Sequence, residues 1–143
     1  MEKRKKDKRK AAAIALLKNL EIDGFVVAQL RLIDNIVGIL CDVLEDRIEA
    51  SAFQKQNAAY VLGRLGEPAA AKVLASTLSK ADRSLRLASL IALAAIGPDE
   101  ETQTILRAFA AKQDTGSVEA AYAIEALSGK RGKQPFPPVA NQR

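Results

Sequence analysis

The sequence predicts an all-α fold, a short α-α superhelix of stacked helical hairpins behind a long N-terminal amphipathic helix. Three observations carry this. Almost half of the 143 residues are apolar, yet with two Tyr, four Phe and no Trp that mass is mostly Ala and Leu, which rank at the top of helix propensity. Apolar positions between residues 24 and 44 recur at spacings of four and three, the signature of one helical face. From residue 54 onward the chain resembles itself at a shift of 31.

The length suits one domain, burying roughly two-thirds of the surface its unfolded chain would expose. Residues 1–10, MEKRKKDKRK, hold seven basic side chains and two acids; too charged to bury anything, they read as a mobile arm or a frayed helix start. Ala11 to Leu20 then reads as a short helix that packs through Ile14, Leu16, Leu17 and Leu20. Asp23 is placed to cap a longer helix, since its carboxylate can accept from the first free backbone N–H groups. On that helix Val26, Leu30, Ile33, Val37, Leu40 and Leu44 form one seam, and Leu32, Ile36, Ile39 and Val43 a second beside it. Together they cover roughly 200° of its surface, about twice the arc of an ordinary surface helix. Such a helix needs cover on two sides: from helix 11–20 and the downstream repeats, or from a second copy of the chain along the first seam.

The repeats follow. With Gly66 set on Gly97, Leu62 falls on Leu93, Leu65 on Ile96, Leu74 on Ile105 and Leu78 on Phe109. A further shift sets Ala92-Leu93 on Ala123-Ile124 and Ile96 on Leu127. Each unit reads as a helix ending near Gly and a turn carrying Pro or Asp, followed in the first two units by a second helix. Helices of about a dozen residues are marginal alone, so stacking must stabilise them. The units span about 54–80, 85–112 and 117–129, inside a domain of 11–129. Residues 130–143 form a basic, Pro-rich tail in which Gln134-Pro135-Phe136-Pro137-Pro138 replaces the third unit's second helix and favours polyproline II.

These units resemble the short HEAT-like repeats of the phycobilisome-lyase type. The residues that carry the resemblance are Leu85-Arg86, Ala88, Ala92-Leu93, Ile96-Gly97 and Glu100 in the central unit. In the unit before they are Leu62-Gly63, Leu65-Gly66, Pro68, Ala70, Leu74 and Leu78. The likeness spans residues 54–127, half the chain, and implies a HEAT-like α-α superhelix. It also implies that Arg86, with Asp82 four residues before it, braces the turn between units. The family's lyases carry many more repeats, so bilin attachment is not implied. Fold likeness of this kind says little about function.

Composition narrows the chemistry. There is no His, which removes the side chain best suited to proton transfer near neutral pH and the commonest metal ligand. Cys41 is the single cysteine; it forms no internal disulfide, and without His to activate it reads as a small buried hydrophobe. Asp42, Glu45, Asp46 and Glu49 read as the wet face of a helix, and Asp99-Glu100-Glu101 as the acidic start of another; neither group converges like a metal site. No cofactor is expected and the chain is not expected to be an enzyme. No apolar run approaches the roughly 18 residues that span a bilayer, and no secretory signal is evident, so a cytoplasmic protein is expected.

What remains is binding. On the second helices of the repeats, Lys72 aligns with Gln103 and Ser76 with Arg107, a polar stripe expected to line the concave face. Another protein is the first partner expected there, with a homodimer through Val26, Leu30, Ile33, Val37, Leu40 and Leu44 as an alternative. Nucleic acid is the other. Residues 11–129 carry 11 basic and 15 acidic side chains, so the basicity sits at the ends, in Lys3, Arg4, Lys5, Lys6, Lys8, Arg9 and Lys10 and in the tail. Those could contact phosphates without sequence preference, since no aromatics are interleaved to stack bases.

Overall fold

The computed structural model describes residues 2–80 and 82–128; the Pro-rich segment and basic tail expected at 130–143 lie outside the described residues. Eight α-helices and no strands occur among them. Helix α1 (Glu2–Leu16) takes in the basic stretch and stops four residues earlier than expected. Its packing face shifts with it: Ala13 and Leu17 are fully buried, whereas Leu20 is 88% exposed. The end of α1 is held by amide side chains from a helix 40 residues away. Gln54 Nε2 donates to Ile14 O at 3.1 Å, and Asn57 Nδ2 donates to Leu17 O at 2.8 Å and Asn19 O at 3.2 Å. The last carbonyls of a helix lack intrahelical donors, and these amides supply them.

The long helix expected after Asp23 is two helices, α2 (Gly24–Arg31) and α3 (Ile36–Leu44), meeting at 109°. Asp23 does cap α2, accepting from Val26 N at 3.0 Å. The chain turns at Asn35, whose φ of 58° lies in the left-handed region that Asn tolerates better than most residues. Gly38 makes room for it: a Cβ there would sit 2.6 Å from Asn35 Oδ1. The bend turns both apolar seams inward. Val26, Leu30, Leu40 and Leu44 are buried in the chain's own core, with Ile33 and Val37 packed against it, so the seam assigned to a partner copy is occupied intramolecularly. From the second seam Ile36, Ile39 and Val43 are buried and Leu32 is left outside.

Five further helices follow: α4 (Ala52–Leu65), α5 (Ala71–Ser76), α6 (Arg83–Ile96), α7 (Glu100–Lys112) and α8 (Val118–Ser128). Their starts are written in the sequence. Ser51 and Gln54 form a reciprocal capping box on α4, Asp82 accepts from Leu85 N at the head of α6, Asp99 from Thr102 N at α7 and Ser117 from Ala120 N at α8. Gly66 and Gly97, at φ of 67° and 84°, end α4 and α6 as expected.

Two rows result. Helices α4, α6 and α8 pack side by side, with α3, α5 and α7 across them. Across the two rows α3 lies against α4, α5 against α6 and α7 against α8, while helices joined at Gly66 and Gly97 touch little. The physical hairpins are therefore offset by one helix from the units read in sequence. Helix α8 packs against both α7 and α6.

Candidate functional site

A groove of about 720 Å³ opens between α5 and α7. Its α5 wall is shaped by hydroxyls. Ser76 Oγ bonds to Val73 O at 2.6 Å, Thr77 Oγ1 to Leu74 O at 2.7 Å and Ser79 Oγ to Ser76 O at 3.0 Å. Side chains that bond back to the preceding turn loosen the α-helical pattern, and here α5 tightens into a 3-10 turn over Thr77–Ser79. Thr77 is also tied to Ser89 of α6 at 2.6 Å inside the core, which fixes the wall to the row beneath. Lys72, Ala75, Ser76, Leu78 and Ser79 line this side.

The α7 wall is a single stripe. Glu101, Ile105, Ala108, Phe109 and Lys112 line the groove, and their spacing of four, three, one and three puts them on one face of the helix. Ile105 is 38% exposed, so an apolar side chain stands open to solvent there.

The floor is ionic. Arg86 of α6 donates from Nε to Glu119 Oε2 at 3.0 Å and from Nη2 to Glu119 Oε1 at 3.2 Å, and its Nη1 donates to Lys80 O at 2.7 Å. Arg83 Nε adds a contact to Glu119 Oε1 at 3.3 Å. Glu119 is only 8% exposed. The Arg86 hydrogen bonds hold its carboxyl below the usual carboxylate range against the opposing effect of burial, and Glu119 in turn raises the Arg86 guanidinium above its ordinary value.

Of the stripe expected from sequence, Lys72 and Ser76 line the groove and Gln103 and Arg107 do not. Repeats related by translation point equivalent positions the same way, so the α7 counterparts of Lys72 and Ser76 face away from α5. There Gln103 Nε2 donates to Pro98 O at 3.0 Å and Arg107 Nη2 to Gln103 Oε1 at 3.3 Å. Arg86 is a brace between units, as the resemblance implied, but its carboxylate partner is Glu119; Asp82 caps α6. Nothing in the spacing pointed to Glu119. The available signal was Arg86 itself, set between Leu85 and Leu87 on a helix that is apolar apart from Arg83 and two serines, where a guanidinium needs a partner.

Other candidates are accounted for in place. Asp42 and Glu45 face Arg47 at 3.4 and 3.2 Å, and Asp46 pairs with Lys55 and, at 2.8 Å, with Lys80. Burial, with Glu45 and Asp42 nearby, pushes the Cys41 thiol up to about 11, far from a reactive thiolate at neutral pH. Among the basic residues of α1, Arg9 lies 3.9 Å from Asp34; the side chains of Lys3, Lys5 and Lys6 lie outside the described residues. No single helix among the described residues is long and apolar enough to cross a membrane.

No curated protein and no solved structure matches the chain significantly. A family model described as HEAT repeats matches residues 40–128, nearly the whole α3–α8 stack and well over half of the sequence. The protein belongs to the HEAT-repeat family.

Proposed function

We propose that this chain is a non-enzymatic adaptor that holds a segment of a partner protein in the groove between α5 and α7. The observation that carries this is the α7 stripe, where Ile105, Ala108 and Phe109 offer apolar surface over a floor held in place by Arg86 and Glu119. Concave, mostly apolar sites with a few fixed polar groups are the usual form of a binding pocket, and helical repeats commonly work through such surfaces. A lone, deactivated cysteine fits work in the reducing cytoplasm. A photo-crosslinking side chain in place of Ala108, introduced in the producing cell, is expected to trap a discrete protein adduct. The same group at Arg107, on the opposite face of α7, is the control. Equal trapping at the two positions, or none at Ala108, would overturn the reading.

A second reading concerns the basic stretch. Lys3, Arg4, Lys5, Lys6, Lys8, Arg9 and Lys10 lie on α1, at the end of a helix where its dipole is already positive. Polyphosphate binding there would relieve that crowding, so nucleic acid is the alternative partner. Binding to duplex or single-stranded nucleic acid is expected to weaken steeply with salt and to vanish when residues 1–10 are removed; no binding at low salt ends this reading.

A further inference from the structure

The groove differs in charge from the domain that carries it. Residues 11–129 hold 11 basic and 15 acidic side chains, yet the groove is lined by three cations, Lys72, Arg86 and Lys112, against two acids, Glu101 and Glu119. Each acid already faces a cation of the same groove. Glu119 is nearly buried and is bonded by Arg86 and Arg83 together, and Glu101 faces Lys72 at 3.4 Å. The excess lies at one end, where Lys112 stands in the last turn of α7 and Arg83 and Arg86 flank Glu119. Asp82, the other acid that acts on Arg86, is held at the α6 cap. At the opposite end the Lys72–Glu101 pair is exposed on both sides, and such a pair is easily exchanged for another.

Building on the adaptor reading, we propose that the occupant of this groove is an acidic amphipathic helix of a partner protein. Its apolar side chains sit against Leu78, Ile105 and Phe109, and its carboxylates sit at Lys112 and at Lys72. A basic segment could reach only Glu101, by displacing Lys72, and would meet Lys112 with no acid of the groove lining beside it to offset the charge. Helices that lay an apolar face into a groove are read by their anchors at helical spacing, and the charges at the rim set partner choice and encounter rate more than affinity.

Three fluorescent peptides test this, sharing one helical leucine pattern and carrying Glu, Gln or Lys at every polar position. Anisotropy titrations use the full chain, an Ile105→Asn variant and a Lys112→Glu variant, each first shown to keep the wild-type thermal melt. The Glu peptide is expected to bind about tenfold tighter than the Lys peptide, which is what two or three exposed charge pairs supply. Added salt should narrow that gap. Ile105→Asn should weaken the Glu peptide, and Lys112→Glu should weaken it while strengthening the Lys peptide. Equal binding of all three peptides, lost in Ile105→Asn, overturns the charge preference and leaves the adaptor reading standing. Glu-peptide binding indifferent to both substitutions places the contact elsewhere and overturns the inference. Binding by none of the three also overturns it, and crosslinking from position 108 then decides the adaptor reading on its own.

Discussion

Glu119 shows how much one side chain can organise. It sits at 8% exposure and receives hydrogen bonds from two arginines that lie one turn of α6 apart, so it joins α8 to α6 beneath the groove. Removing its main partner leaves a nearly buried carboxylate with only the longer Arg83 contact. Arg86→Ala is therefore expected to lower stability by about 2 kcal/mol, the scale of a lost charge-assisted hydrogen bond, read as a lower urea midpoint. The same pair sets an acid limit. Glu119, Asp99 and Asp46 all have lowered carboxyl pKa values, Asp46 falling to about 2 through its bonds with Lys55 and Lys80. A carboxyl held lower in the folded chain than in the unfolded one stabilises the fold above its ordinary value and stops doing so as acid protonates it. Stability should thus be complete above about pH 5 and fall towards pH 2. Glu119→Gln should shrink the difference between urea midpoints at pH 7 and pH 3; an unchanged difference would mean that the pair contributes nothing to acid sensitivity. Arg86 was visible in the sequence through the resemblance, since it stands at the Arg position of the HEAT-like unit. Glu119 was not, because an acid in the first turn of a helix is explained equally well by the helix dipole.

At the scale of elements, the sequence was most legible where a short local pattern does the physical work. Asp23 caps its helix and Gly66 and Gly97 end theirs, since caps and left-handed turns depend on a few adjacent residues. It was least legible where distant parts of the chain decide. Gln54 and Asn57 look like ordinary polar positions, yet both are buried because they serve carbonyls 38 to 40 residues earlier. The break between α2 and α3 is of the same kind: the apolar periodicity runs through it, and only the need to fold both seams against one core bends the chain at Asn35. That bend makes a specific demand on residue 35. Asn35→Gly removes the left-handed strain and should leave the urea midpoint unchanged or raised. Asn35→Val, branched at Cβ, should cost about 1–2 kcal/mol. Equal midpoints for the two variants would show that the left-handed turn is not retained in solution. The repeat itself carries a further lesson. A 31-residue period fixes the spacing of equivalent helices but not the origin of the unit, and packing chose the pairs α3–α4, α5–α6 and α7–α8.

For the whole molecule, the offset hairpins change what the first 50 residues are. Helix α3 is the first member of the stack and α1 and α2 close its N-terminal side, so the apolar surface between residues 26 and 44 is needed inside one chain. Leu40 makes the consequence testable. It is fully buried, in one continuous core with Leu30, Leu44, Ala58 and Leu62. A carboxylate placed there has no partner and must either stay charged in an apolar surrounding or take up a proton, and both routes cost free energy. Were residues 26–44 a contact between copies, Leu40→Asp would halve the mass seen by light scattering and leave the helical circular dichroism intact. With the seam inside the monomer, the variant should instead lose about 3 kcal/mol or more, the range of severe core substitutions. Helical signal and thermal melt should fall together, with no folded species of half the mass. A folded, half-mass Leu40→Asp protein would return the seam to the surface and place the stack's closest neighbour in a second chain.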